Sequence, residues 1–275
     1  MEAKSRIDYS LIYLRSENAR MSLKNLSQHL HKSPQLLKYS TAVLEKEGVI
    51  HDPYYIFDYS YFGLLLFRVY FKAIYIKEQD KLKIIKELYE NPSVLSIYEL
   101  TGEFDLGVEF AAPNPSKFNK EFKKSVSANP LLKEYKILLN VVTHIYPRHH
   151  LTKNIDLQVL NGQKIVGGDR EKEEFTAQEM SLLKILLNKP IIRYSRLAKE
   201  AGLNVKTAKS LLHNLSKRNV VKGCKYQIDT SKLGITKSRL FLKLHNLDTE
   251  RESSLMEYLN NTREIVQVNK TVGDW

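Results

Sequence analysis

Along the first fifty residues, apolar positions recur at the three- and four-residue intervals of amphipathic helices. Residues 7–20 place Ile7, Leu11 and Leu14 on one face. Residues 21–30 form a shorter amphipathic segment, joined through His31-Lys32 to residues 33–50. In that third stretch Ser33 is a helix N-cap, and Pro34 sits at the first helical position, where its missing N–H costs nothing. Leu37, Thr41 and Leu44 make a buried stripe, Gly48 stops the helix, and Val49-Ile50 leads into extended chain. Gln35, Lys38, Tyr39 and Ala42 are left on the opposite face. Two helices so closely joined, the second with a polar face, form a helix-turn-helix pattern.

Beyond it the period changes. Asp52-Pro53 is expected to break the chain, and Tyr54–Phe57 to form the wing of a winged helix. A strand is expected over 64–75, with Arg68, Tyr70 and Lys72 on one face. A helix over 80–90 should bury Leu82, Ile85 and Leu88/Tyr89. Strands over 94–100 and 104–111 flank the turn Thr101-Gly102-Glu103. A helix over 115–128 carries Phe118, Phe122 and Val126 on one side, and a last strand covers 135–145. The order β-α-β-β-α-β is that of a ferredoxin-like domain. Residues 147–175 read as a linker, with Asn161-Gly162 as a hairpin turn and Gly167-Gly168 as a flexible joint.

The pattern then starts again 171 residues on. Leu197 takes the place of Leu26, Val220-Val221 that of Val49-Ile50, Asp229 that of Asp58, Gly234 that of Gly63, Arg239 that of Arg68 and Gly273 that of Gly102. The matches fall on corresponding structural positions, so the chain is a tandem duplication. Its expected units are a winged helix-turn-helix over 1–55, a ferredoxin-like domain over 56–146, the linker over 147–175, a second winged helix-turn-helix over 176–230 and a partial ferredoxin-like domain over 231–275. In this register Trp275 corresponds to Phe104, so the second domain is expected as β-α-β alone, a truncated half sheet with an exposed edge.

Composition narrows the picture. The chain has 275 residues, 43% of them hydrophobic, enough for two to four small cores. It lacks an apolar run of membrane-spanning length and an N-terminal signal-peptide pattern, so no membrane partner is expected. Cys224 is the single cysteine, which excludes an intrachain disulfide and fits a reducing cytoplasm. The net charge is +12, and residues 176–225 supply nine of it, with eleven basic side chains against Glu179 and Glu200. A block of that kind suits phosphate binding, although lysine-rich surfaces also serve solubility alone.

The block LSQHLHKSPQLLKYSTAVLEKEGVI and the turn Thr101-Gly102-Glu103-Phe104-Asp105 resemble the Lrp/AsnC (feast/famine) family of transcriptional regulators, and Thr271–Trp275 repeats the turn in the second copy. Tandem copies look most like archaeal members. The resemblance implies an α+β fold of winged helix-turn-helix plus ferredoxin-like domains and binding to double-stranded DNA. It also implies a homo-oligomer formed through the ferredoxin-like domains, and a small effector such as an amino acid near Gly102, Glu103 and Asp105. The other reading of that turn is structural: Gly102 supplies a positive φ and the acids are solvated.

The second recognition helix is expected over 204–218, with Asn204 as its cap, Ala208, Leu212 and Leu215 buried, and Lys206, Thr207, Lys209, Ser210 and His213 outward. Lys206 and Thr207 lie in the first turn, which reaches base edges, Lys209 and Lys217 suit phosphates, and Arg218 completes the expected DNA-binding set. The first copy offers Gln35, Lys38 and Tyr39, offset by Glu45 and Glu47, and packing is the alternative role for it. Two unlike readers predict an asymmetric operator. No cofactor is expected, because there is no glycine-rich phosphate loop and no Cys/His zinc spacing. His144, His149 and His150 read as surface residues at a domain exit. Sirohaem decarboxylases share the layout, but their Tyr/Arg-rich second-strand region reads here Val94–Leu100, with one Tyr and no Arg. A ligand-sensing or scaffolding protein that has lost DNA binding is the remaining alternative.

Overall fold

The computed structural model describes residues 8–72, 78–132, 134–158, 160–245 and 248–273. Three helices open it: α1 (Tyr9–Glu17), α2 (Leu23–Leu30) and α3 (Pro34–Lys46). Each is started by a side chain that accepts from a backbone N–H three residues on: Asp8, Ser22 and Ser33. Leu11, Leu14, Leu26, Leu37 and Leu44 meet in one core, as the spacing predicts, whereas Ile7 lies outside the described residues. Gly48, at φ +66°, turns the chain out of α3.

Asp52 and Pro53 do not break the chain. They lie inside strand β1 (Ile50–Phe57), where a bulge between His51 and Tyr54 absorbs the positive φ of Asp52 and the missing N–H of the proline. A 3-10 turn (Tyr59–Phe62), capped by Asp58, leads to β2 (Leu65–Lys72). The helices α4 (Glu78–Glu90) and α5 (Pro115–Ala128) and the strands β3 (Val94–Glu99), β4 (Leu106–Ala112) and β5 (Glu134–Ile145) complete the β-α-β-β-α-β unit. Its antiparallel order, β3-β4-β2-β5, is the ferredoxin-like one. Phe67, Val69 and Phe71 face Phe118 and Phe122 across this core. On α4 the buried pair is Ile84 and Leu88, with Ile85 partly buried. Leu82 and Tyr89, expected inside, stand in solvent because the helix is rotated to set Ile84 on the sheet.

Residues 147–175 are more than a linker. They carry a 3-10 turn (His149–Leu151), the short helix α6 (Ile155–Gln158) and strand β6 (Lys164–Gly167), which pairs with Val142–Ile145 of β5. Asn161-Gly162 therefore precedes a strand whose partner lies well upstream, and does not close a tight hairpin. Gly167 is pinned: its N–H donates to the buried Asp58 carboxylate at 2.9 Å, and an added Cβ would meet Val141 O at 2.9 Å and collide with the Tyr59 hydroxyl.

The second copy builds α7 (Ala177–Asn188), α8 (Tyr194–Glu200), α9 (Val205–Lys217), β7 (Val221–Ile228) and another 3-10 turn (Thr230–Leu233). Asp58 and Asp229 cap their respective turns through Ser60 and Ser231, and Gly63 and Gly234 close them at the same φ of +68°. Beyond Gly234 the copies part. Residues 235–245, matching β2, form no strand, and α10 (Thr249–Asn261) buries no residue fully. β8 (Gln267–Val272) pairs with Leu139–Ile145 of β5, so it extends the first sheet and builds no second one. The expected half domain thus borrows the edge of the complete one, since residues 235–245 offer β8 no strand to join.

Candidate nucleic-acid interface

The two wing strands pair with each other. β1 and β7 run antiparallel, with Ile50 opposite Ile228, Tyr54 opposite Lys225 and Phe57 opposite Val221. Tyr54 and Lys225 are themselves the same position in the two copies, so the pairing is isologous about a pseudo-two-fold axis through that pair. One chain thereby sets two helix-turn-helix units against each other. The contact is also sealed off the strands: the Arg20 guanidinium donates to the Pro190 and Ile192 carbonyls at 2.8 and 3.0 Å, and Ala19 N–H donates to Cys224 O at 2.9 Å.

A buried charge cluster lies beside the axis. Glu17, at the end of α1, is fully buried with its carboxylate 2.6 Å from Lys225 Nζ and 3.3 Å from the Arg148 guanidinium. Burial alone would raise the Glu17 carboxyl, but Lys225 and Arg148 hold it below its ordinary value. Burial pushes the Lys225 ammonium down, to about 8, and the Cys224 thiol up, to about 11.

The exposed faces of the two recognition helices are those expected. On α3, Gln35, Lys38 and Tyr39 point to solvent, with Tyr39 69% exposed. On α9, Asn204 caps the helix by accepting from Thr207 N–H at 2.8 Å, and Ala208, Leu212 and Leu215 are buried. Lys206, Lys209, Ser210, His213 and Lys217 are exposed, and Thr207 is half-buried. Arg218 departs from expectation. Its guanidinium is bound by Glu173 and by Glu179 and lies over the Phe175 ring, so it ties the end of α9 to the capping box that starts α7. A cation held by two carboxylates is a poor phosphate ligand.

At the glycine turn, Gly102 has φ +117°, which accounts for the glycine. Lys72 donates to the Gly102 carbonyl at 3.0 Å and approaches Asp105 at 3.5 Å, while Lys136 lies 3.9 Å from Glu103. Gly102, Glu103 and Asp105 are thus brought beside two lysines. Among the described residues no three His, Cys, Asp or Glu gather as a metal site. His144 contacts Gln163 at 2.6 Å, and His149 lies against Tyr13.

Two groupings escaped the sequence. One joins Arg68, paired with Glu109 at 2.5 Å and bonded to Asn140, with Arg239, which donates to the Tyr70 hydroxyl and covers the Tyr98 ring. Arg68 and Arg239 are the same position in the two copies, an equivalence the 171-residue repeat shows without implying that they meet. The second is a cleft at the module junction, lined by Arg20, Tyr55 and Tyr194 among others, for which sequence carried no cue.

No protein-family model matches the chain. It is 28% identical over 125 residues to an uncharacterised HTH-type transcriptional regulator of Pyrococcus furiosus, covering 45% of this chain and 81% of that protein. A second, from Pyrococcus horikoshii, is 25% identical over 139 residues, covering 49% and 85%. The chain is thus similar to proteins described as HTH-type transcriptional regulators. Each match covers about half of this chain. Among solved structures, the sirohaem decarboxylase NirDL aligns at 16% identity and TM-score 0.50 over 79% of this chain and 64% of that one, a likeness of fold. An AsnC family regulator from Agrobacterium tumefaciens aligns at 15% identity and TM-score 0.42 over 49% and 88%. Among the described residues, no helix of this regulator-like chain is long and apolar enough to cross a membrane.

Proposed function

We propose that the chain is a sequence-specific DNA-binding transcriptional regulator in which one polypeptide does the work of a dimer. The observation that carries this reading is the isologous β1–β7 pairing, which sets α3 and α9 about a pseudo-two-fold axis with their polar faces outward. A duplex has a two-fold relation between its strands, so two readers so disposed fit successive half-sites. In this reading Lys206 and Thr207 reach base edges, while Lys209, Ser210, His213 and Lys217 hold backbone. Gln35, Lys38 and Tyr39 supply the second half-site. The relatives' description as HTH-type transcriptional regulators supports a regulator over a catalyst. The resemblance adds a homo-oligomer held by the sheet domains and an effector at Gly102, Glu103 and Asp105.

The test is fluorescence anisotropy on mixed-sequence duplex DNA across a salt series, comparing the native chain with Lys209→Ala/Lys217→Ala. Log affinity is expected to fall linearly with log salt, and the double variant to lower the slope by about two, near 0.9 per lost phosphate contact. Absence of binding at low salt, with the fold intact by circular dichroism, would overturn the reading in favour of scaffolding.

A further inference from the structure

The pseudo-two-fold axis creates two equivalent junctions between a loop of one copy and the recognition helix of the other, and the two are not alike. On the α9 side lies a cleft of about 280 Å³. Arg20 comes to it from the α1–α2 loop, Tyr55 from β1, Tyr194 from the start of α8, and Lys209, Leu212 and His213 from α9. The Arg20 guanidinium lies 4.5 Å from the Tyr194 ring centre and Lys209 Nζ lies 5.4 Å from it, so both cations share one aromatic wall. No carboxylate lines the cleft.

The 171-residue repeat shows what stands at the matching positions of the other junction. Arg20 is replaced there by Ile191, Tyr194 by Leu23, Leu212 by Thr41 and His213 by Ala42, while Glu45 stands where the cleft has Ser216. The Tyr226 hydroxyl, counterpart of Tyr55, donates to that Glu45 at 2.6 Å and occupies the junction with a protein hydrogen bond. The basic, aromatic-walled cleft is therefore a property of one junction and not of winged-helix pairing as such.

We propose that this cleft binds a small organic anion, a carboxylate or phosphate on a compact ring or branched body. The anionic head meets Lys209 and His213, with Arg20 behind them, and the body lies on Tyr194, Tyr55 and Leu212. The volume sits at the lower edge of ordinary ligand pockets, ~300–1,000 Å³, which limits the ligand to the size of a benzoate or a small amino-acid derivative. A regulatory consequence rests on the proposed function: Lys209 and His213 also face outward on α9, so an occupant competes with DNA phosphate for the same two side chains, and the coupling is reciprocal.

Isothermal titration calorimetry of the full chain, without DNA, tests the site with sodium benzoate, phenyl phosphate and inorganic phosphate as probes. At least one aromatic anion is expected to bind. Lys209→Gln and His213→Ala, both at exposed positions, should each weaken it about tenfold, and Lys86→Gln, on α4, should leave it unchanged. Circular dichroism melts confirm that each variant is folded. No heat from either aromatic anion, or binding indifferent to both α9 variants, would overturn the proposal. Inorganic phosphate binding as tightly as phenyl phosphate would overturn the organic part of it and leave a bare anion site. In the anisotropy assay, a saturating aromatic anion is expected to raise the dissociation constant for DNA at least threefold. Anion binding without any DNA binding would retain the site and remove the regulatory reading.

Discussion

Glu17 is fully buried and neutralised by groups from distant parts of the chain: Lys225 on β7 and Arg148 after β5. Removing one partner of such a cluster strands the others in a low-dielectric setting. Glu17→Gln is expected to cost about 3–5 kcal/mol in urea unfolding. The folded-state pKa of Glu17 lies below its unfolded value of about 4.3. Its contribution is therefore complete above about pH 4.3 and lost as pH falls through the folded value. The gap in urea midpoint between native chain and Glu17→Gln should narrow on the acid side, as pH falls through the folded value of Glu17. A gap independent of pH would mean that Glu17 acts by shape alone. None of this was legible in the sequence, where Glu17 is one acid near the end of an amphipathic helix and its partners lie more than 130 residues away.

At the scale of elements, the two 3-10 turns after the wings allow the same substitution to be compared in two settings. Asp58 accepts from Ser60 Oγ at 2.6 Å and from Gly167 N–H at 2.9 Å, and faces Lys222 at 3.7 Å and Arg170 at 3.8 Å, fully buried. Asp229 makes the same cap to Ser231 at 2.5 Å but stands about a third exposed, with Lys232 at 3.7 Å. Asp229→Ala should lower the melting midpoint only slightly, as the loss of an exposed cap. Asp58→Ala should cost about 3–5 kcal/mol, because it also frees two cations and the Gly167 amide. Equal losses in thermal denaturation would show that the surrounding contacts contribute nothing. The repeat marked both positions, Asp58 with Asp229 and Gly63 with Gly234, but not that the acids cap the turns. That one of them anchors β6 was not visible, since 147–175 has no periodicity that marks a strand.

For the whole molecule, the repeat sets two helix-turn-helix units in one chain, and under the proposed function they act as two DNA readers that differ. The first presents Gln35, Lys38 and Tyr39, and the second Lys206, Thr207, Lys209, Ser210 and His213. Selection of bound fragments from random DNA is expected to return an asymmetric motif, with the half contacted by α9 contributing most of the salt dependence. A palindrome would mean that only matching positions of the two helices, such as Lys38 and Lys209, make the contacts. The α5 side of the first sheet domain's core, Phe118 and Phe122 with Val126 beside them, and the helix-turn-helix stripes were read correctly from spacing. The rotation of α4, which buries Ile84 and exposes Leu82, was not, because the stripe of that helix is wide enough to admit either choice.

The sequence by itself determined the local elements and their repetition: caps at Ser33 and Asn204, stripes on α3 and α9, the turn glycines, and a constant offset of 171 residues. Those depend on near neighbours and on a period, and both survive in a linear string. Tertiary structure alone decided how the copies meet. The β1–β7 pairing, the Glu17–Lys225 ion pair and the transfer of β8 to the edge of β5 join residues far apart in the chain. Their partners are chosen by which edges and charges are left unsatisfied once the local elements have formed. That choice also made one junction a cationic cleft and filled the other with a tyrosine–glutamate hydrogen bond.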